Sequence, residues 1–355
     1  MKIFFLLVIS ITLALSLPNA DTFSEKMEVQ NAKSMLERAF EFYCSNETNE
    51  MINAYNELID KFAYSTNKEI RLITAQAMSN LALAYESAND TKAEIAVHER
   101  IISKFISSNE SGIEVITIKS LLRKGFIAFN ENDTKAQIET GERFVARFAD
   151  TNDENLRVVL AGMMMNLGYL YTQTDEYRKA VNIGNIFMEK FENSQNELIR
   201  EQFFDNSMML GVSYTHLGEI KNALAAYQRG IDRFKNSTKP NIAKAIGAAV
   251  TNKIELEICN NLKPSFSGEN RKIADKNEYS AFMYEFLQII YAAKDEAQTK
   301  RLKEWREKYS DFSFEKLKID FDFSDLDKWQ DSLKNPAKKR VKECIDALKE
   351  FAKNR

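Results

Sequence analysis

The chain has 355 residues, with 4 prolines, 11 glycines and a formal net charge of -3 from 49 basic and 52 acidic side chains. Few helix breakers and many Ala, Leu, Glu and Lys residues favour an almost entirely helical protein. The balanced charge argues against a nucleic-acid-binding protein, which normally carries a basic domain.

Residues 1–20 have the layout of a secretory signal peptide. Lys2 is followed by an apolar run from Ile3 to Leu17 and then by small residues, so we expect cleavage after Ser16 or Ala20. The run is too short and too weakly flanked for a permanent membrane span, and we expect no transmembrane segment in the mature chain. The sequence therefore predicts an exported protein, periplasmic in the first instance and secreted as the alternative.

A repeat of 43 residues runs through the centre of the chain. A phenylalanine recurs at this step, preceded by a basic residue and followed three residues later by Ser or Thr. The phenylalanines are Phe62, Phe105, Phe148, Phe191 and Phe234, the basic residues are Lys61, Lys104, Arg147, Lys190 and Arg233, and the hydroxyl residues are Ser65, Ser108, Thr151, Ser194 and Ser237. Gly125, Gly168 and Gly211 keep the same step.

Each repeat is predicted to be a helical hairpin. In the fourth repeat we expect a first helix over 153–173 and a second over 176–191, with turns between paired helices at 87–91, 130–134 and 173–176. The Ser or Thr, with Asn, Asp or Glu next to it, is typical of a helix N-cap. We expect each repeated phenylalanine to lie in the core and the basic residue beside it to face solvent.

Two segments, "NLGYLYTQTDEYRKAV" (166–181) and "MLGVSYTHLGEIKNALAAYQRGI" (209–231), resemble tetratricopeptide repeats (TPRs). The residues that carry the likeness are Leu167, Gly168, Tyr171 and Ala180, then Leu210, Gly211, Tyr214, Ala223 and Tyr227. The resemblance covers about residues 24–260. A repeat of 43 residues is longer than the usual 34, and the usual proline is missing. HEAT or armadillo repeats are the structural alternative, which the Leu-Gly-x-x-Tyr signature disfavours.

The resemblance implies an all-α, right-handed α-solenoid of about five to six stacked hairpins. We place the TPR-like array at 21–260. The loop "NNLKPSFSGEN" (260–270) leads to a helical C-terminal cap or accessory region at 261–355, in which "FSFEKLKIDFDFSDL" (312–326) is expected to be a short strand or an extended segment.

No constellation of residues predicts chemistry. His98 and His216 lie almost three repeats apart, too far to share a metal or to act as an acid–base pair. Cys44 and Cys259 are separated by five repeats, so they cannot form a disulfide, and we expect them and Cys344 to be ordinary buried residues. Glycine-rich phosphate loops and nucleophile motifs are missing from the sequence. We therefore expect no enzymatic activity, cofactor or metal.

In TPR proteins the first helices line a groove that holds a peptide or a helix of a partner. The candidate groove residues that this resemblance implies are Leu83, Glu86, Leu122, Phe126, Phe129, Met165, Tyr169, Met208 and Val212. The Lys and Asn of the family's clamp for C-terminal carboxylates are replaced by apolar residues at these positions. We expect a non-catalytic scaffold or adaptor with protein partners. The alternatives are a regulatory or positioning subunit of a cell-envelope enzyme complex, and a hydrolase within 261–355.

Overall fold

The computed structural model describes residues 23–45, 47–237, 239–260 and 262–291, together with 301, 304, 305 and 307–309. Within these residues the chain forms thirteen α-helices and no strand. The predicted signal peptide, the segment 312–326 and Cys344 lie outside the described residues. Among the helices described, none is both long enough and apolar enough to cross a membrane.

Long and short helices alternate along the chain. The first helices of the hairpins are α1 (Phe23–Cys44), α3 (Lys68–Ser87), α5 (Ser111–Asn130), α7 (Glu154–Gln173), α9 (Glu197–His216) and α11 (Pro240–Cys259). The second helices are α2 (Thr48–Lys61), α4 (Thr91–Phe105), α6 (Thr134–Phe148), α8 (Tyr177–Phe191) and α10 (Ile220–Phe234), and two further helices follow, α12 (Gly268–Ala274) and α13 (Glu278–Tyr291). From α3 to α11 the first helices have 20 residues, and from α4 to α10 the second helices have 15. The predicted helix and turn boundaries are confirmed to within one residue.

The chain divides into two compact units, one ending at Arg147 and the other beginning at Phe148. In unit 1, α3 packs on α2 and α4, and the first helices α1, α3 and α5 pack side by side. In unit 2, α9 packs on α7, α8 and α10, while α11 packs on α10, α12 and α13. This sequential packing of neighbouring hairpins confirms the predicted all-α solenoid. The proposed boundary between residues 260 and 261 stays a prediction.

The same hydrogen-bonded turn precedes each first helix from α3 to α11. Asn67 is the N-cap of α3 and accepts the N–H groups of Glu69 at 3.0 Å and Ile70 at 3.2 Å. Ser65, the hydroxyl residue of the repeat, instead accepts the N–H of Asn67 at 3.3 Å. The same bond recurs before α5, α7, α9 and α11. The repeated Ser or Thr therefore shapes the turn, and the cap lies two residues later.

Each of the four described turns within the hairpins from α3–α4 to α9–α10 contains one residue in the left-handed backbone conformation. These residues are Asn89, Asn132, Asp175 and Gly218, with φ between 55° and 72°, and they are again 43 residues apart. Only Gly, Asn and Asp adopt this conformation at low cost, which accounts for the residue types at this position.

The repeated phenylalanines are buried, as predicted. The basic residues beside them are at least partly exposed, but several also make a specific bond that the sequence analysis did not predict. Arg147 Nε, for example, donates to the carbonyl oxygen of Ile106, the C-cap of α4, at 2.5 Å. The hairpins are thus joined by polar contacts as well as by the apolar core.

Candidate functional site

Three first helices of unit 1 expose an apolar residue at the same position of the repeat. Phe40, Leu83 and Phe126 retain 44%, 45% and 51% of their accessible surface. Their neighbours Ala39, Ala82 and Ile127 point the other way and are buried. Because successive residues of a helix are about 100° apart, burial of one face leaves the phenylalanine and leucine positions outside the core.

Further apolar side chains extend this row. Leu122 and Phe129 lie one turn before and one turn after Phe126 on α5, and both are exposed. On α1 the ring of Tyr43 stacks on that of Phe40, with centroids 5.8 Å apart. We call Phe40, Tyr43, Leu83, Leu122, Phe126 and Phe129 the unit 1 face.

Phe40 and Tyr43 were missed in the sequence analysis, although the repeat locates them. One step of 43 residues back from Leu83 leads to Phe40, and the same step back from Glu86 leads to Tyr43. The candidate set began at α3 because the tetratricopeptide signature is weak in the first hairpin.

Glu86 pairs with a cation of the next first helix. Its carboxylate lies 2.8 Å from the guanidinium of Arg123 on α5, whose Nε also donates to Glu94 on α4 at 2.6 Å. The same guanidinium lies 5.7 Å from the ring centroid of Phe126. Glu86 therefore helps to hold Arg123 against the ring of Phe126, a member of the unit 1 face.

The candidate residues of unit 2 form a smaller apolar surface. Tyr169 on α7 is exposed, whereas Met165 and Val212 are half-buried. Met208 on α9 packs against the buried cluster of Ala223, Tyr227 and Leu256. Met208 thus belongs largely to the core, and Tyr169 is the one strongly exposed aromatic residue among the unit 2 candidates.

The cysteine and histidine side chains that the structure describes offer no metal site. The described residues contain no group of three or more His, Cys, Asp or Glu side chains arranged to hold an ion. His98 is buried, and His216 stacks on Tyr177 with centroids 4.2 Å apart. Cys44 is exposed, so its predicted burial was wrong. The equivalent residues of the next four repeats are all exposed as well. They are Ser87, Asn130, Gln173 and His216.

One contact in unit 2 brings a lysine to a serine. Lys253 Nζ donates to Ser265 Oγ at 2.8 Å and forms an ion pair with Glu257 at 2.6 Å, while the Ser265 N–H donates to Glu257 at 2.7 Å. The ammonium group donates to the hydroxyl, and the carboxylate accepts from the backbone N–H of the same serine. The group therefore fixes the loop before α12.

A cavity of about 500 Å³ lies beside α12 and α13 in unit 2. Phe266, Tyr291 and Trp305 contribute its aromatic lining. Three of its charged residues are paired with each other, since Arg271 lies 2.5 Å from Glu285 and Lys308 contacts the same carboxylate.

Comparison with known proteins agrees with the repeat signature. The family model described as "Tetratricopeptide repeat" matches residues 205–237, which include Leu210, Gly211 and Tyr214. No curated protein matches the chain.

Two solved structures resemble the chain at low identity. The crystal structure of the apo form of RapI is 13% identical, with a TM-score of 0.46, and a tetratricopeptide repeat protein from Parabacteroides merdae is 10% identical, with a TM-score of 0.35. Each comparison covers 90% of this chain and 99% of the other. Both scores lie below 0.5, so the assignment depends on the family match and on the stacked 43-residue hairpins. The chain is a TPR-like helical repeat protein.

Proposed function

We propose that the chain is a non-catalytic, exported scaffold whose unit 1 face binds an amphipathic helix of a partner protein. The supporting observation is the row of Phe40, Leu83 and Phe126, exposed at equivalent positions of three adjacent first helices. Grouped apolar side chains on a protein surface mark interaction sites far more often than isolated ones do. Rigid aromatic side chains are also the residue type that most often dominates binding energy.

The spacing of the row favours a helical partner. Packed helices lie about 8–10 Å apart, and seven residues of an α-helix rise about 10.5 Å. A partner helix that crosses α1, α3 and α5 with an apolar residue at every seventh position would meet Phe40, Leu83 and Phe126 in turn. Leu122, Phe129 and Tyr43 would then flank the line of contact.

A selected peptide can test the face directly. We would display a library of 21-residue amphipathic helices, select binders to the full chain without residues 1–20, and measure their affinities by calorimetry. Leu83→Asp and Phe126→Asp should each weaken binding at least about 30-fold, because each anchor of this kind contributes about 2 kcal/mol or more.

Tyr64→Asp is the matched control, because Tyr64 is 96% exposed but lies in the turn at the opposite end of α3 from Leu83. Circular dichroism should show equal helix content in all three variants. Binding that is indifferent to Leu83→Asp and Phe126→Asp, or that is lost equally in Tyr64→Asp, would contradict the proposal.

Export is proposed from residues 1–20 alone. Fusion of this segment to a phosphatase that is active only outside the cytoplasm should give phosphatase activity in bacterial cells. Replacement of Leu6 and Leu7 by Asp should abolish it, because the apolar run drives translocation. An inactive wild-type fusion would refute export.

A further inference from the structure

Arg123 links three helices beneath the unit 1 face. It precedes Phe126 by one turn of α5, and its guanidinium lies 5.7 Å from the Phe126 ring centroid. It reaches Glu86 on α3 at 2.8 Å and Glu94 on α4 at 2.6 Å. A fork held at two carboxylates has little freedom, so the surface that Phe126 rests against is fixed in place.

The anchor on Glu94 is shared with a histidine. Glu94 and His98 are only 3% and 8% exposed, and His98 Nε2 lies 3.6 Å from Glu94 Oε1. His98 Nδ1 is buried without a hydrogen-bond partner. The charged groups that face His98 are Glu94 on its own helix and Arg123 on α5, with Glu86 on α3 joined through Arg123.

The preceding hairpin has neutral residues at the three positions that correspond to Glu94, His98 and Arg123. One step of 43 residues back, Glu94, His98 and Arg123 correspond to Met51, Tyr55 and Asn80. Met51 and Tyr55 are buried, and Asn80 Nδ2 donates to the Tyr55 hydroxyl at 3.3 Å. Packing alone is therefore satisfied by neutral residues at these three positions. Packing therefore does not explain why Glu94 and Arg123 carry charges at these positions.

We infer that Arg123 is a positioning residue for Phe126 and that protonation of His98 releases it by competing for Glu94. This inference depends on the proposed function, in which Phe126 contacts the partner. An imidazolium beside Glu94 would share the carboxylate and repel the guanidinium, so Arg123 would hold Phe126 less firmly. The partner would then bind more weakly in acid.

Burial lowers the pKa of His98 below its ordinary value of 6.5, and the Arg123 charge lowers it further against the opposing attraction of Glu94. His98 is therefore neutral at pH 7.5, and the switch should operate below pH 6.5.

A fluorine probe tests the link without any partner. Phe126 would be replaced by 4-trifluoromethyl-phenylalanine, and its ¹⁹F shift followed from pH 7.5 to 4.5 beside the ring proton signals of His98. Only two histidines occur in the chain, so the variant His216→Gln assigns both signals. We expect the probe and His98 to titrate with the same midpoint. In His98→Gln the probe should no longer titrate in that range.

A triple variant, Glu94→Met with His98→Tyr and Arg123→Asn, copies the neutral layer and guards against misfolding of a single variant. In this variant, too, the ¹⁹F shift of the probe should not change over that pH range. A probe that is silent in the wild-type chain, or that titrates unchanged in both variants, would overturn the inference.

Binding of the selected helix supplies the second readout. Affinity should fall about tenfold from pH 7.5 to 5.0 in the wild-type chain, a common size for coupling between two sites. It should be equal at both pH values in the triple variant. If affinity is pH-independent in the wild-type chain, His98 does not regulate the site. If no selected helix depends on the unit 1 face at any pH, the proposed function fails, while the fluorine titration still decides whether His98 and Phe126 are linked.

Discussion

The guanidinium of Arg233 donates to the carbonyl oxygen of Glu192 at 2.8 Å, 41 residues earlier in the chain. Glu192 is the C-cap of α8, where carbonyl groups lack partners inside the helix. The same relation, always at 41 residues, joins Lys104 to Ala63, Arg147 to Ile106 and Lys276 to Lys235. A cation at the C-terminal end of a helix also complements the helix dipole. The basic residue thus ties a hairpin to the one before in three of the repeats, and Lys276 continues the tie beyond the last repeated phenylalanine.

Arg147→Met should lower the free energy of unfolding by about 2–3 kcal/mol, since hydrogen bonds from charged groups contribute more than neutral ones. Arg147 donates to the carbonyls of Ile106 and Ser108 and to the side chains of Asn109 and Glu114. Urea denaturation followed by circular dichroism measures the loss.

Arg100→Met is the control for Arg147→Met in the same unit. Arg100 is half-exposed and forms a surface ion pair with Asp60 at 3.2 Å, so this change should cost about 0–1 kcal/mol. Equal losses in the two variants would show that the bonds of Arg147 to backbone carbonyl groups add nothing beyond a surface ion pair.

Gly211→Ala should be destabilising by about 1–3 kcal/mol through overpacking. A Cβ at Gly211 would lie 2.4 Å from Cε1 of Tyr227, whose buried ring cannot move aside. Gly125 occupies the same repeat position, but a Cβ there would meet only Cγ2 of Thr140 at 3.8 Å. Gly125→Ala should therefore be neutral or stabilise the chain by up to about 1 kcal/mol through helix propensity. Thermal denaturation of both variants checks this contrast, and a similar shift in both would refute it.

The repeat made the fold predictable, because every hairpin must bury the same face against its neighbours. The step that found Phe62 to Phe234 also fixed the helix boundaries. Applied consistently, it would have revealed the exposure of Cys44, since Ser87 and Asn130 stand at the same position. It would also have added Phe40 to the candidate face. A single residue carries this information only when it is compared with its equivalents in the other repeats.

Pairings of charged side chains could not be predicted in the same way. The repeat places Arg123 where the preceding hairpin has Asn80, but the sequence does not say which carboxylates it reaches. Glu86 stays a predicted partner contact, and its pairing with Arg123 does not follow from the repeat. Such pairings depend on the separation of three helices and on side-chain rotamers, and the periodicity of the sequence predicts neither. The predicted apolar members of the unit 1 face are exposed, because exposure of a helix face does follow from periodicity.

Stability should fall in acid through Glu99. Burial raises the pKa of Glu99, but hydrogen bonds and charges from Lys124 and Arg143 outweigh it and bring the pKa from 4.5 to about 2. A carboxyl group whose pKa is lower in the folded state stabilises the fold above its ordinary pKa, and this contribution disappears as the pH falls from 4.5 towards 2.

Glu99→Gln should remove that part of the acid sensitivity, as measured by urea denaturation at pH 6 and pH 3. Because Glu99 is more than one-third exposed, the difference should stay near or below about 1 kcal/mol. Glu131→Gln, at the exposed C-cap of α5, removes one carboxylate in the same way and is the control. An unaltered pH profile in Glu99→Gln would refute the assignment.

The buried pair of Lys253 and Glu257 should show strong non-additivity. Both residues are buried on α11, and together they bind the loop residue Ser265. Lys253→Met should cost about 3–5 kcal/mol, because it leaves the carboxylate of Glu257 buried without its cation. The double change with Glu257→Leu removes both charges and should cost clearly less than Lys253→Met alone. A double-mutant cycle from urea denaturation measures the coupling, and costs that simply add would mean that the two charges do not depend on each other for their burial.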